Sequence, residues 1–202
     1  MLESLNQSVF IWLNATPESA HWLIALTTFF ARDVIALVPL TIIALWLWGS
    51  GNQLQPQRIL VLKTSIALLY AMAIAWGLEQ LYPHPRPFVL HTGNLYLSHI
   101  ADSSFPSDHG TVSFTFALAF ICWHRIWSGS LLLILAALIA WSRIYLGVHW
   151  PVDMLGAILV AMLSCLFAQI FWQLFGERLL SLVSTLYRRL FSWPISKGWV
   201  RQ

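Results

Sequence analysis

Charged side chains are scarce in this chain: they make up 9% of its 202 residues, whereas hydrophobic residues make up 58%. An ordinary soluble domain has about 25% charged residues, because water must solvate its surface. The composition therefore excludes a soluble globular protein. The apolar residues also form blocks of about 15 to 24 residues, a length that crosses a bilayer. The chain is predicted to be an integral membrane protein.

Cysteine is also rare, and the few positive charges are dispersed. The two cysteines, Cys122 and Cys165, lie within apolar runs. This excludes a disulfide framework or a thiolate metal site and favours two small buried apolar side chains. The net charge of +3 is scattered, which argues against a nucleic-acid partner. The N-terminus lacks the basic start of a cleavable signal peptide, so the first membrane segments are expected to direct insertion.

The pattern of apolar blocks predicts one all-α domain covering residues 1–202, a bundle of six transmembrane helices. Residues 2–13 are short and interrupted by polar side chains, which favours an interfacial helix, with a partial span as the alternative. A polar turn at Arg32 and Asp33 is expected to separate the first two spans. Residues 176–202 are predicted to be an amphipathic basic tail on the membrane. The six spans are expected at about 17–31, 34–48, 59–82, 106–123, 130–145 and 151–175.

Lysine and arginine distribute unevenly across this layout. One side receives most of them, and the other receives only Arg32, Arg86 and Arg143. The positive-inside rule places the rich side, with the C-terminus, in the cytoplasm. The polar loop 83–105 and the turn 143–151 then face outward. For a Gram-negative bacterium this predicts a multi-pass protein of the inner membrane with these segments in the periplasm.

Three polar clusters share the predicted outer side. They are formed by residues 84–87, 106–109 and 142–153. Ionisable groups within membrane spans cost free energy and generally mark functional sites. Because three segments distant in sequence bring such groups to one side, we expect a common site there.

The cluster at residues 142–153 contains a candidate nucleophile. Pro151 marks a helix start, with His149 just before it and Asp153 one turn later. Asp153 can reach one ring nitrogen of His149 and leave the other free to attack. The alternative is that Asp153 only caps the helix, since aspartates are common in N-terminal caps.

The cluster at residues 106–109 is predicted to open a helix at its N-cap, Ser107. The free N–H groups of such a terminus, next to Asp108 and His109, can hold phosphate oxygens, and His109 can act as an acid and then a base. Arg86 and Arg143 offer planar donors suited to phosphate. The alternatives are a structural histidine at the interface and arginines that extend to lipid headgroups.

These residues resemble the three motifs of the type-2 phosphatidic acid phosphatase superfamily. Ser142-Arg143, His149 and Asp153 match the third motif without a gap. Residues 106–109 resemble the second motif, usually Pro-Ser-Gly-His, with Asp108 in place of glycine. Arg86-Pro87 resembles the end of the first motif, but Glu79 stands where the family has lysine. Three motifs in order are far more specific than one short motif.

The resemblance implies a role for each matching residue and needs no metal or cofactor. His149 would be the nucleophile that forms a phosphohistidine, Asp153 would orient it, and His109 would be the general acid and then the base. Phosphate oxygens would be held by Arg86, Ser107, Arg143 and the backbone of Asp108. His84 is a candidate to replace part of the missing lysine charge, and a structural role is preferred for Glu79.

Within the superfamily, the stretches around residues 105–111, 122–125 and 141–151 look most like bacterial undecaprenyl-diphosphate phosphatases. This resemblance implies hydrolysis of a C55 polyprenyl pyrophosphate, which recycles the cell-wall carrier lipid and confers bacitracin resistance. The alternatives are a phosphatase for phosphatidylglycerol phosphate, phosphatidic acid or diacylglycerol pyrophosphate, a vanadium haloperoxidase, and a non-catalytic lipid-binding or transport protein.

Overall fold

The computed structural model describes residues 2–49 and 51–201, and all the regular structure in these ranges is helical. The prediction of an all-α fold is therefore confirmed. Short 3-10 helices at Val34–Ala36, Gly51–Gln53 and Pro87–Leu90 connect the longer elements. The α-helices are α1 (Leu2–Leu13), α2 (His21–Arg32), α3 (Leu37–Leu47), α4 (Leu54–Leu81), α5 (Asp108–Trp123), α6 (Ile126–Tyr145), α7 (Pro151–Leu190) and α8 (Ser192–Ser196).

Four helices of the described chain are long and apolar enough to cross a membrane: His21–Leu47, Leu54–Leu81, Ile126–Tyr145 and Pro151–Leu190. The six predicted spans are thus not confirmed. The largest difference is at Asp33, which has right-handed helical dihedrals, φ −97° and ψ −33°, so the chain continues instead of reversing. α2 packs on α6 and α3 on α4, without extended contact between α2 and α3. Residues 21–47 therefore form one 27-residue segment where two spans were expected.

The bundle is organised around α5, which packs against α4, α6 and α7. Small buried residues line these contacts, among them Ala67, Ala119 and Ala168 in one cluster and Ala136 and Ala157 in another. Between helices in lipid there is little hydrophobic driving force, so small side chains stabilise packing by letting backbones approach closely. The outward faces carry large exposed apolar side chains, as a lipid-facing surface requires.

The end of the bundle that carries residues 82–107 and 146–150 is called the outer end below, and α1 lies there. Asn6 Oδ1 accepts a hydrogen bond from the backbone of Val152 at 3.1 Å, and the rings of Phe10 and Trp150 lie 4.9 Å apart. A 12-residue helix is about 18 Å long, too short for a hydrocarbon core of about 30 Å. The helix predicted at residues 2–13 is present, and its place at the membrane interface stays a prediction.

At the opposite end α7 continues through Gly176 to Leu190, well beyond the residue 175 expected from the sequence. One glycine costs a helix only about 1 kcal/mol, too little to end a 40-residue helix. The segment after α8 then folds back: the carbonyl of Arg201 accepts from Arg58 Nη2 at 3.1 Å and from Tyr187 Oη at 2.8 Å. Arg201 therefore joins the start of α4 to the end of α7, and its N–H also donates to the Leu47 carbonyl at the end of α3.

Candidate active site

The outer loop, residues 82–107, brings the first two sequence clusters to the third. Its two halves meet where Ser104 N–H donates to the His84 carbonyl at 2.8 Å. The indole N–H of Trp150 donates to the Pro85 carbonyl at 2.9 Å and joins this loop to the start of α7. The residues around Arg86 are thereby held beside His149.

The turn between α6 and α7, residues 146–150, presents the candidate nucleophile. Gly147 has φ +83°, a conformation that favours glycine, and a Cβ there would overlap the carbonyl of Asn94. Pro151 then opens α7, where a missing N–H costs no helical hydrogen bond. His149, at the end of this turn, is 1% exposed. The turn therefore places its imidazole inside the protein.

One side of the His149 ring faces two hydrogen-bond acceptors. Nδ1 lies 3.0 Å from the Ser104 carbonyl and 3.2 Å from Asp153 Oδ2. Two acceptors at Nδ1 require the proton there, which leaves the lone pair on Nε2. The same Oδ2 accepts from the Trp150 N–H at 2.8 Å. Asp153 therefore makes both contacts that the sequence left as alternatives: it caps α7 and it lies within hydrogen-bond distance of His149 Nδ1.

The other side of the ring faces two cations. Arg86 Nη1 lies 3.0 Å and Arg143 Nη2 lies 3.3 Å from His149 Nε2. Burial, followed by the charges of Arg143 and Arg86, holds the pKa of His149 well below its usual value of 6.5. The imidazole is therefore neutral near pH 7, with a lone pair directed towards two guanidinium groups.

Both arginines are fixed by the protein. Arg86 donates through Nε to Asp102 at 2.7 Å, through Nη2 to the Ser103 carbonyl at 3.1 Å and through Nη1 to the Val148 carbonyl at 2.9 Å. Arg143 donates to the Ala31 carbonyl at 3.0 Å. Arg86 is 4% and Arg143 2% exposed. This burial argues against the alternative of arginines that extend to lipid headgroups.

The start of α5 lies beside this group. Ser107 caps the helix as expected, since its Oγ accepts from the Gly110 N–H at 3.3 Å. The Ser107 N–H lies 3.4 Å from the Asp153 carbonyl. Asp108 is exposed and His109 half-buried, and His109 is among the charges that act on His149. The second cluster is thus close to the first and third, although no hydrogen bond joins His109 to His149 in the described structure.

His84 and Glu79 occupy the margins of this group. His84 Nδ1 lies 3.1 Å from Ser104 Oγ and 3.8 Å from Asp153 Oδ1, so it contacts the acid that orients His149. Its assignment to substrate binding stays a prediction. Glu79 is half-buried near the end of α4, within electrostatic range of Arg86 and Asp102.

Sequence reasoning missed two residues of this group, Asp102 and His99. Asp102 accepts from Arg86, and the His99 ring lies 6.2 Å from the His149 ring. The only signal was their position in the longest polar segment, because neither belongs to one of the three motifs. Loop residues without a periodic pattern can be placed only by tertiary contacts.

Such an arrangement is suited to phosphoryl transfer in a helical membrane protein. A neutral imidazole held at Nδ1 can act as a nucleophile, and buried guanidinium donors beside Nε2 can stabilise charge on phosphate oxygens. Residues 58–178 match the model of the PAP2 superfamily. The chain belongs to the PAP2 superfamily.

Two relatives agree with this membership, and a solved structure has a similar fold. YbjG of Escherichia coli strain K12, a candidate undecaprenyl-diphosphatase, is 57% identical over 201 residues, with 100% of both chains covered. The undecaprenyl-diphosphatase BcrC of Bacillus subtilis strain 168 is 32% identical over 79% of this chain and 80% of its own. The crystal structure of LpxE from Aquifex aeolicus has a similar fold, with a TM-score of 0.62 at 24% identity over 82% of this chain and 94% of that one.

Proposed function

We propose that this protein is an undecaprenyl-diphosphate phosphatase, a hydrolase that converts the C55 polyprenyl pyrophosphate into its monophosphate and inorganic phosphate. The observation that carries the chemistry is His149, with Nδ1 facing Asp153 and Nε2 facing Arg86 and Arg143. The substrate follows from similarity: the chain aligns over its whole length with a relative that carries this activity in its name.

The first step transfers the terminal phosphoryl group to His149. Nε2 attacks the terminal phosphorus, and the bond from that phosphorus to the bridging oxygen breaks. The lipid monophosphate leaves as its oxygen takes a proton from His109. Positive charge then forms on the phosphohistidine ring, where Asp153 stabilises it through Nδ1–H, 3.2 Å from its carboxylate.

The second step releases inorganic phosphate. His109, now neutral, removes a proton from water as the water oxygen attacks the phosphohistidine phosphorus. The P–N bond breaks, its electron pair returns to Nε2, and His149 is neutral again. His109 ends the cycle with the proton that it had at the start.

The non-bridging oxygens need donors in both steps. Arg86 and Arg143 are the strongest, because planar guanidiniums donate to phosphate in pairs. The hydroxyl of Ser107 and the N–H of Asp108 at the start of α5 add to them, and His84 is a weaker candidate. Fixed donors of this kind usually supply the largest part of the rate enhancement.

The proposed location is the bacterial inner membrane, with the site in the periplasm and the C-terminus in the cytoplasm. The structure has apolar helices that can cross a membrane, and the charge bias supports this orientation. A pyrophosphate released on the outer leaflet would then reach the site directly. Bacitracin sequesters that pyrophosphate, so higher levels of this protein are expected to raise resistance.

The test is phosphate release by the detergent-purified protein, with chelator present, from undecaprenyl pyrophosphate and phosphatidylglycerol phosphate in parallel. Preference for the polyprenyl pyrophosphate supports the proposal. Preference for the glycerolipid would move the protein to phospholipid synthesis with the same chemistry. The variant His149→Ala should release no phosphate, and near-normal activity in that folded variant would refute the assigned nucleophile.

A further inference from the structure

A second histidine faces the nucleophile from the outer loop. The ring of His99 stands edge to face with that of His149, with centroids 6.2 Å apart and an angle of 74° between the planes. His99 lies outside the three sequence motifs, and the mechanism above does not use it. Its side chain is 22% exposed, so one part of the ring remains accessible.

One edge of the His99 ring is held in place. Nδ1 lies 3.1 Å from the Ile100 carbonyl and 3.7 Å from Asp102 Oδ1. The same Oδ1 accepts from Arg86 Nε at 2.7 Å. His99 and Arg86 are therefore arranged around one carboxylate. Within the part of the chain that the structure describes, no hydrogen bond involves His99 Nε2.

The charges around His99 come from several elements. Arg86 and Asp102 belong to its own loop, Arg143 comes from α6, and His149 comes from the turn before α7. The start of α5 adds Asp108 and His109. Burial first, then the nearby arginines, lowers the pKa of His99. A bound phosphate would add negative charge at this place and favour the protonated ring.

The site also lacks, at position 79, the lysine side chain that the first motif carries. The position that carries lysine in the first motif is Glu79, which is within range of Asp102 and Arg86. A carboxylate cannot donate to phosphate when it is ionised. His84, the candidate from the sequence, lies near Asp153 and not on the Nε2 side of His149.

We propose that His99 is a substrate-binding residue that supplies, as an imidazolium, part of the positive charge absent at position 79. It would donate through Nε2 to a non-bridging oxygen of the phosphoryl group that His149 attacks. Its proton comes from solvent or from the incoming phosphate, and it forms and breaks no covalent bond. This inference rests on the proposed phosphatase function and adds a residue to the same site.

A histidine in this role has a consequence that a lysine would not have. Lysine keeps its charge across the range from pH 6 to 8.5, whereas an imidazolium that bound phosphate stabilises loses its proton as the pH rises through this range. Substrate affinity should therefore fall as the pH rises, and a lysine at position 99 should remove the part of this dependence that His99 causes.

The experiment compares wild type, His99→Asn, His99→Lys and the control His91→Asn in phosphate release from undecaprenyl pyrophosphate between pH 6 and 8.5. His91 is an exposed histidine of the same loop, and its ring Nδ1 lies 3.3 Å from the Phe88 carbonyl. At pH 6 we expect KM to rise about tenfold in His99→Asn with kcat changed less than threefold, because a contact kept from ground state to transition state affects KM. At pH 8.5 His99→Lys should have a KM at or below that of wild type.

Two results would overturn the proposal. One is an unchanged KM in His99→Asn. The other is an equal loss of kcat in His99→Asn and His99→Lys, which would indicate that His99 only positions Asp102 and Arg86. A second measurement tests the role of His99 independently of the lipid substrate: the unfolding temperature is measured at increasing concentrations of inorganic phosphate. If wild type leaves the polyprenyl pyrophosphate intact, the proposed function fails, while weaker phosphate binding in His99→Asn than in His91→Asn still supports the role of His99.

Discussion

The substitution Asp153→Asn isolates the charge of the carboxylate that lies beside His149 Nδ1. One oxygen of Asp153 accepts from both the Trp150 N–H at 2.8 Å and His149 Nδ1 at 3.2 Å. An asparagine with its carbonyl oxygen in this place keeps both hydrogen bonds, and its amide nitrogen takes the position of Oδ1, which lies 3.8 Å from His84 Nδ1. The tautomer of His149 and the cap of α7 should therefore survive, and only the negative charge is lost.

The size of the effect follows from the distance between the two groups. A unit positive charge on the ring, 3.2 Å from a carboxylate oxygen, is stabilised by about 5 kcal/mol at an effective dielectric constant of about 20. The transition state carries part of that charge, so the loss is about 2.5–5 kcal/mol. This corresponds to a decrease in kcat of about 10²- to 10⁴-fold.

The assay is phosphate release from the polyprenyl pyrophosphate by purified protein, with thermal unfolding measured in parallel. The matched control is Asp33→Asn, the same change at an exposed residue that forms an ion pair with its neighbour Arg32, and it should leave kcat unchanged. If Asp153→Asn unfolds at the wild-type temperature and retains kcat within tenfold, the carboxylate does not stabilise a phosphohistidine, and the proposed mechanism is refuted.

Three further outcomes follow from the site. Arg143→Gln should reduce kcat/KM at least about 100-fold, because it removes a charge-assisted phosphate contact worth about 3 kcal/mol. Loss of a cation 3.3 Å from Nε2 should also raise the pKa of His149 and move the acid limb of the kcat/KM profile to higher pH. An acid limb at the wild-type pH would contradict this. The pKa of His149 in the folded protein lies below its unfolded value near 6.5, so below that pH the unfolded chain binds more protons than the folded protein does. The free energy of unfolding should therefore decrease as the pH falls from 7 to 5, and it should decrease less in the variant His149→Gln. Gly147→Ala should lower the free energy of unfolding by at least about 1 kcal/mol, because position 147 has a φ of +83°. An unchanged unfolding temperature would exclude this strain.

The sequence was sufficient wherever a property depends on composition or on neighbours along the chain. The scarcity of charge indicated a membrane protein, and the helical fold agrees with that prediction. Ser107 caps α5 and Pro151 opens α7 as predicted, because caps are formed by residues within one helical turn. The pairing of His149 with Asp153, four residues apart, was foreseeable for the same reason.

The continuity of residues 21–47 was not predictable from the same signals. Arg32 and Asp33 interrupt an apolar run, and such a pair is compatible either with a turn or with one exposed ion pair on a continuing segment. α2 packs on α6 and α3 on α4, so the contacts of the whole bundle select the second arrangement. The extension of α7 beyond residue 175 likewise accompanies contacts of its end with Arg58 and the carbonyl of Arg201.

The sequence alone thus determined the class of protein, the motif residues and their local helical settings. Only the tertiary structure showed that Arg86 and Arg143, 57 residues apart in the sequence, both lie close to Nε2 of His149. It also showed that Asp102 contacts Arg86 and that the ring of His99 lies beside that of His149. The physical reason is range. Propensities and caps act over a few residues, whereas the environment of a buried charge is set by segments that become neighbours only when the helices pack.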